Sequence, residues 1–320
     1  MLKPPPESTA SPESAATLLR RLEWTTLRRL DGLLQGDYRT LFRGAGLDLA
    51  DLREYQPGDD VRHMDWNVSA RLQVPHVRVF TEDRELAAWF LLDLSASVDF
   101  GSTRSKRSLA TSFCGLLARA LTRQGNRVGA LMYGHRVDTV LPARNGRQQV
   151  LQILHRMSQR PTAAPNPQGT RLDELLSTAV RMLRRRSLVF VMSDFISEPG
   201  WVKPLAELAR RHDVVAVRLF DPLELELPPF GVLVVQDAET GEQRVVDTEA
   251  RGFLKRFADL ARAREASLRE DLARAGVDTL ELATTDDLSD AVLRFVTLRK
   301  QRSQLVHGGT ARRTRAERRP

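Results

Sequence analysis

Residues 87 to 102 read "AAWFLLDLSASVDFGS". Six apolar residues, Ala87 to Leu92, run without a break into Asp93, Ser95 and Ser97. An unbroken apolar run of this length predicts a strand buried on both faces, as in the interior of a parallel sheet. An acid and two hydroxyls spaced two apart have no place in such a core. They predict a polar site where the strand ends, and open α/β sheets bind their ligands at the carboxyl ends of their strands.

The flanking sequence supports the sheet. Leu109, Phe113, Leu116, Leu117 and Leu121 form the apolar stripe of a helix after the opening strand. "RVGALMYG" (127–134) predicts a strand, and a turn at Gly134-His135 leads to "RVDTVLPA" (136–143), an antiparallel partner. Val150, Ile153, Leu154 and Met157 have the i, i+3, i+4, i+7 spacing of a buried helical face, and Leu172, Leu175, Leu176, Ala179 and Leu183 repeat it. "SLVFVMSD" is a buried strand ending at Asp194, "EPGWVKPLAELARRH" a helix and "DVVAVRLF" the next strand. "VLVVQDAETGEQRVVDT" reads as a β-hairpin set into the series. A long helix follows, with Phe253, Phe257, Leu260, Leu268 and Leu272 inward and its end at Gly276. "VDTLEL" is a last strand and "TTDDLSDAVLRFVTLRKQ" a last helix, opened by Thr284 and Asp287 as a capping pair.

The expected class is therefore α/β, with a mostly parallel, doubly wound sheet, an N-terminal extension and an inserted hairpin. The expected divisions are a disordered N-terminus (1–20), a folded extension (21–86), the α/β domain (87–303, with the hairpin at about 230–248) and a disordered basic tail (304–320). The extension contains "REYQPGDDVRHMDWNVSARL", dense in charge and aromatics without a helical or strand period. Arg53, Glu54, Asp59, Asp60, Arg62, Asp65 and Arg71 have three readings there: an ion-pair lattice bracing the extension, a partner-docking surface, or a second metal site at Asp59 and Asp60.

Composition removes several function classes. The chain of 320 residues carries a net charge of +8. From Arg299 onward there are eight basic residues and one acid, a net of +7, which leaves +1 for everything before it. The body is thus not a basic nucleic-acid surface, and only the tail has a composition suited to acidic partners or a membrane surface. The longest apolar runs are strand-sized, so no transmembrane segment is expected, and "MLKPPPESTASPESAA" has no apolar core of a secretory signal. The single cysteine, Cys114, lies on an apolar helical stripe; it cannot form an internal disulfide or a zinc site, and a cytoplasmic protein is expected. The six histidines show no H-E-x-x-H pattern.

Asp93, Ser95 and Ser97 offer oxygen donors only, a set suited to a hard cation such as Mg²⁺. Thr170, at the head of a helix, and Asp194, at the end of a later strand, are candidates to complete it. Two carboxylates and three hydroxyls neutralise a divalent ion and leave a position for an incoming carboxylate. Each residue also has an ordinary local role open to it. Ser95 and Ser97 can bond turn amides, Thr170 can cap a helix with Asp173, and Asp194 can cap the following turn.

D-x-S-x-S after the first strand, then a Thr, then an Asp after a later strand, resembles the metal-ion-dependent adhesion site of von Willebrand factor A domains. The resemblance implies that Ser95, Ser97 and Thr170 bind Mg²⁺ directly, with Asp93 and Asp194 close by and partly acting through water. "LREYQPGDDVRHMDWNVSAR" followed by "VRVFTEDRE" is similar to the signature of the bacterial family called domain of unknown function 58, with Met64 where an Ile is usual. That resemblance spans roughly residues 20 to 300. It implies a non-catalytic adaptor that works with a MoxR-type AAA+ ATPase in chaperone-like assembly or activation of a client protein, the client or the ATPase donating the carboxylate.

Two other functions stay open. A phosphatase of the haloacid dehalogenase type also begins with an acid at the first strand end, but it pairs that acid with a second one two residues on, and Ser95 stands there. A metal-free structural scaffold is the other. "GSTRSKRS" (101–108) lacks the second glycine of a phosphate-binding loop, and Lys106 is expected to face solvent.

Overall fold

The computed structural model describes residues 14–23, 51–56, 61, 64–79, 87–161, 166, 168–295 and 297. The expectations for 1–13 and for the basic tail fall outside them, as do Asp59, Asp60 and Arg62. In chain order the elements are α1 (Ala15–Leu22), β1 (Asp51–Glu54), α2 (Trp66–Leu72), β2 (His76–Val79), β3 (Ala87–Asp93), α3 (Lys106–Arg123), β4 (Arg127–Tyr133), β5 (Val137–Arg144), α4 (Arg147–Ser158), α5 (Leu172–Met182), β6 (Leu188–Ser193), α6 (Val202–Arg211), β7 (Asp213–Phe220), β8 (Val232–Gln236), β9 (Gln243–Asp247), α7 (Phe253–Ala275), β10 (Asp278–Ala283) and α8 (288–295).

The six-stranded sheet has the order β10-β7-β6-β3-β4-β5. All its neighbours are parallel except β4 and β5, which are antiparallel. Strand side chains alternate between faces, and both faces of this sheet are covered. Phe90, Leu92, Phe190, Met192, Val215 and Val217 join a core under α1, α3, α4 and α8. Leu91, Val189, Val191, Val214 and Ala216 join the opposite core under α5, α6 and the C-terminal part of α7. This two-sided burial is why β3 and β6 carry apolar runs instead of alternating patterns.

Four expectations need correction. The disordered N-terminus was expected to reach residue 20, but residues 15–20 belong to α1. Ser14 caps that helix by accepting the Thr17 N–H, and Leu18, Leu19 and Leu22 enter the core against α3 and α4. A helix this short gives little periodicity, and the Pro/Ser-rich run before it dominates a composition-based reading. Leu260 is 72% exposed, not inward; Ala261, one position on, is buried instead. Thr284 does not cap the last helix. Asp287 accepts the Ser289 and Asp290 N–H groups, while Thr284 Oγ1 donates to Asp221 Oδ2 at 2.5 Å. Lys106 does not face solvent; it is fully buried.

In the extension, β1 and β2 pair antiparallel around α2. Asp65 caps α2, its Oδ1 accepting the Asn67 and Val68 N–H groups at 3.1 Å each. That local bond gives Asp65 a structural role. Trp66 at the head of the helix is exposed, as are Glu54 and Arg71. Among the described residues, no helix is long and apolar enough to cross a membrane.

Removing buried methyl groups from a core typically costs about 2–5 kcal/mol, whereas exposed positions stay within about 0.5 kcal/mol. We therefore expect Leu19→Ala to lower the unfolding free energy by about 2–5 kcal/mol and Leu260→Ala to leave it nearly unchanged, both read from denaturant midpoints. Equal effects would contradict the placement of α1.

Candidate functional site

β3 and β6 are parallel neighbours, with Leu92 opposite Met192. Asp93 ends β3 and Asp194 follows β6, so the two acids leave the sheet at one edge. Asp93 is 1% exposed and Asp194 4%. Burial, and then the charge of Asp194, push the Asp93 carboxyl up to about 6, although hydrogen bonds from Ser193 and Ser95 act the other way.

Each carboxylate has defined partners. Asp93 Oδ1 accepts the Ser95 N–H at 3.0 Å, and Oδ2 accepts the Ser193 hydroxyl at 2.6 Å. Asp194 Oδ1 accepts the Ile196 N–H at 3.0 Å, so it does take up its ordinary turn-capping role. Its Oδ2 accepts from Lys106 Nζ at 2.7 Å, and the same ammonium donates to Glu224 Oε1 at 2.7 Å. Burial lowers the Lys106 pKa, but Asp194 and Glu224 outweigh it and the net shift is upward. Asp93, Asp194 and Glu224 against Lys106 leave two net negative charges when all are ionised, the balance a divalent cation matches. Lys106 thus changes the expected charge count, which rested on Asp93 and Asp194 alone.

The loop after β3 turns into a short 3₁₀ helix, Ala96–Asp99. Ser95 makes no side-chain cap there; its hydroxyl lies 3.2 Å from that of Ser97. Thr170 is 2% exposed, and its hydroxyl has no hydrogen-bond partner, although the backbone around it is well tied. Its carbonyl accepts from the Ser197 hydroxyl at 2.8 Å and the Glu198 N–H at 2.9 Å. The helix beginning at Leu172 has no side-chain cap, so Thr170 does not play the capping part. A buried hydroxyl without a partner costs about 1–3 kcal/mol.

Three loops meet through these bonds. Ser193 and Asp93 join the ends of β6 and β3, and Ser197 joins the loop after β6 to Thr170. Glu239, in the turn between β8 and β9, joins the remaining pair. Its Oε1 accepts the Ser97 N–H at 3.3 Å, and its carbonyl accepts the Asn166 N–H at 2.5 Å. Directly after Asp194, Phe195 adopts a left-handed φ of 58°. That conformation is costly for a bulky residue. It is held by the Phe195 N–H donating to Ser193 Oγ at 2.9 Å and by ring contact with Trp201.

Ser193, Lys106, Glu224 and Glu239 were not among the expected site residues. Lys106 did have a signal: it lies three before Leu109 and seven before Phe113, on the apolar stripe of α3. Its burial also depends on the tight turn before it, where a Cβ on Gly101 would lie 2.0 Å from the Arg104 carbonyl oxygen. Glu224 and Glu239 arrive from distant loops and had no local signal.

The donor set fits a hard cation by its chemistry, being oxygen-only and rich in hydroxyls. Among the described residues, no group of three or more His, Cys, Asp and Glu side chains gathers in a metal-binding arrangement. The unpartnered Thr170 hydroxyl is the atom such a cation would satisfy.

Residues 51–267 match the family described as "Protein of unknown function DUF58". The chain belongs to this family. An uncharacterized protein of Mycobacterium tuberculosis is 39% identical over 297 residues, covering 91% of this chain and 92% of that one. A shorter relative, from Paracoccus denitrificans, is described as an uncharacterized protein in the moxR 3′ region; it is 35% identical over 100 residues, 31% of this chain and 94% of that one. Among solved structures, an aerotolerance-related membrane protein from Bacteroides fragilis aligns with a TM-score of 0.47 and 15% identity, over 68% of this chain and 99% of that one. The VWA domain of SpRpn10 aligns with a TM-score of 0.35 and 14% identity, over 65% and 94%. The DUF58 chain has the mostly parallel α/β sheet, covered on both faces, that its sequence pattern implied.

Breaking a buried ion pair by removing one partner costs about 3–5 kcal/mol, because a charge is left uncompensated. Lys106→Met should therefore lower the unfolding free energy by about 3–5 kcal/mol, read by denaturant titration. A cost below about 1 kcal/mol, the range of surface pairs, would mean that Asp194 and Glu224 do not depend on the ammonium.

Proposed function

We propose that this protein is a non-catalytic adaptor that captures a partner protein through Mg²⁺ held by Asp93, Ser95, Ser97, Thr170 and Asp194, and that it works with a MoxR-type AAA+ ATPase. The observation that carries the metal is the Thr170 hydroxyl, buried without a partner on a loop that Ser197 ties to the one following Asp194. Ser95 and Ser97 present two more hydroxyl oxygens 3.2 Å apart. Bound there, Mg²⁺ supplies an open Lewis-acidic position for a carboxylate. The protein's own residues hold the cation and keep bulk water from the site.

The adaptor reading is favoured over phosphoryl transfer by Ser95. A hydroxyl cannot take the place of the second acid in proton transfer, and this hydroxyl sits within hydrogen-bond range of Ser97. The ATPase is proposed from the Paracoccus denitrificans relative in the moxR 3′ region, 35% identical to part of this chain. A metal-free scaffold has one observation in its favour: the Lys106 ammonium already lies 2.7 Å from Asp194. The two readings part on cation binding.

We expect calorimetric titration to show one Mg²⁺ bound to the wild-type protein, and both binding and Mg²⁺-dependent capture of the MoxR-type ATPase to be lost in Ser97→Ala and Thr170→Val. Thr170→Val removes a hydroxyl that bonds nothing in the protein, so its unfolding free energy should stay within about 1 kcal/mol of wild type or rise. Capture that persists unchanged in EDTA would sink the metal-dependent reading. Absence of Mg²⁺ binding with a normal fold would favour the scaffold.

A further inference from the structure

The β8–β9 hairpin forms a two-stranded sheet of its own. Val232, Val234 and Val245 on its strands are each more than 60% exposed. A lone hairpin is marginally stable in water, so this one depends on what holds its two ends. The base is clamped by Thr248, whose hydroxyl donates to the Gly231 carbonyl at 2.8 Å and accepts the Phe230 N–H at 2.9 Å. The tip is held at the candidate site through the Asn166 and Ser97 amides.

The tip is also built to present one side chain. Asp237 Oδ1 accepts the Glu239 and Thr240 N–H groups at 2.8 and 2.9 Å, an Asx turn that fixes the backbone on either side of Glu239. Gly241, at φ +75°, returns the chain to β9 in a conformation that glycine adopts without strain. The Glu239 carboxylate is thereby delivered to a loop 142 positions away in sequence. Oε1 accepts the Ser97 N–H, whereas Oε2 is buried and has no partner. Among the described residues, Thr170 Oγ1 is the other buried side-chain oxygen in this state, four positions along the chain from Asn166, whose amide holds the same tip. A buried carboxylate oxygen without a donor, at a site already net negative, marks a place that lacks positive charge. Bringing a further carboxylate into it costs free energy unless a cation receives it.

We infer that Glu239 is a built-in ligand of the site: its carboxylate takes, within the same chain, the position that a partner's carboxylate would take. The inference rests on the Mg²⁺ site proposed above and adds a regulatory consequence to it. The hairpin-docked form is closed to partners. A partner must present an acidic side chain that displaces Glu239, and displacement frees a hairpin with exposed valines on its strands.

The test uses the full-length protein with Mn²⁺ in place of Mg²⁺, because Mn²⁺ shares its preference for oxygen donors and reports its bound waters through water-proton relaxation. Three proteins are compared: wild type, Glu239→Gln and Asp93→Asn. Glu239→Gln keeps the shape of the side chain and all the backbone bonds of the turn. We expect it to bind Mn²⁺ at least about tenfold more weakly than wild type and to show higher relaxation per bound ion, as water takes the vacated position. Acetate should reverse that rise in Glu239→Gln and leave the wild type unchanged. Mn²⁺ should also slow hydrogen exchange of the 237–242 amides in the wild type and not in Glu239→Gln.

If Glu239→Gln matches wild type in affinity, relaxation and exchange while Asp93→Asn loses Mn²⁺, the built-in ligand is wrong and the metal site stands. If the wild type binds no Mn²⁺, or Asp93→Asn binds it as wild type does, the metal site falls and the inference falls with it.

Discussion

Asp93 and Asp194 end adjacent parallel strands, and at that edge both carboxylates are almost completely removed from water. Two like charges in such a place are costly unless each is hydrogen-bonded and the pair is compensated. Much of the surrounding structure answers this constraint. Ser193 turns its hydroxyl to Asp93, the Ile196 amide meets Asp194, and Lys106 is drawn into the core to pair with Asp194 and Glu224. Lys106 can reach that position because the chain folds tightly at Gly101 and α3 begins at once. Glu224 is set in turn by a capping box with Asp221, and Asp221 binds Ser102 and Thr284. The loops after β3, β7 and β10 are thereby joined around the compensated pair.

The constraint also explains what the sequence discloses and what it withholds. β3, β4, β6 and β7 are legible because burial on both faces leaves apolar runs that need no knowledge of their neighbours. The five candidate residues stand out in the sequence because each follows or heads such an element. Hydrogen bonds carried by Ser193, Ser197 and Glu239 join the three loops that bear them. Lys106 was misplaced because a lysine at a helix start is ordinarily solvated, and its apolar-stripe position was outweighed by that habit. Thr284 was misassigned because Asp221, 63 positions away, competes for its hydroxyl and wins. Glu224 and Glu239 act over separations of 118 and 142 positions, and nothing near them in sequence marks their targets.

The ordinary and the functional readings of the site residues separate once hydrogen bonds are assigned. Asp194 takes up its ordinary role, one oxygen capping a turn, while the other meets Lys106. Asp65, in the charge-rich stretch of the extension, is used by its own helix. Thr170 fulfils no local role with its hydroxyl. In a fold whose buried polar groups are nearly always paired, that hydroxyl is the informative one, because stability alone gives no reason to bury it there.

Lys106 compensates the buried acids only in part. The ammonium is shared between Asp194 and Glu224, and its single charge cannot balance three carboxylates. What remains is the negative balance that a hard divalent ion matches, set beside hydroxyls that are neutral donors and add no charge of their own. A serine at position 95 keeps that balance; an acid there would add a fourth carboxylate and a proton-transfer group. Glu239 approaches the same balance from outside the domain core, on a hairpin held at its base and its tip. It can therefore be exchanged for another carboxylate without disturbing the sheet, whereas Asp93 and Asp194 cannot.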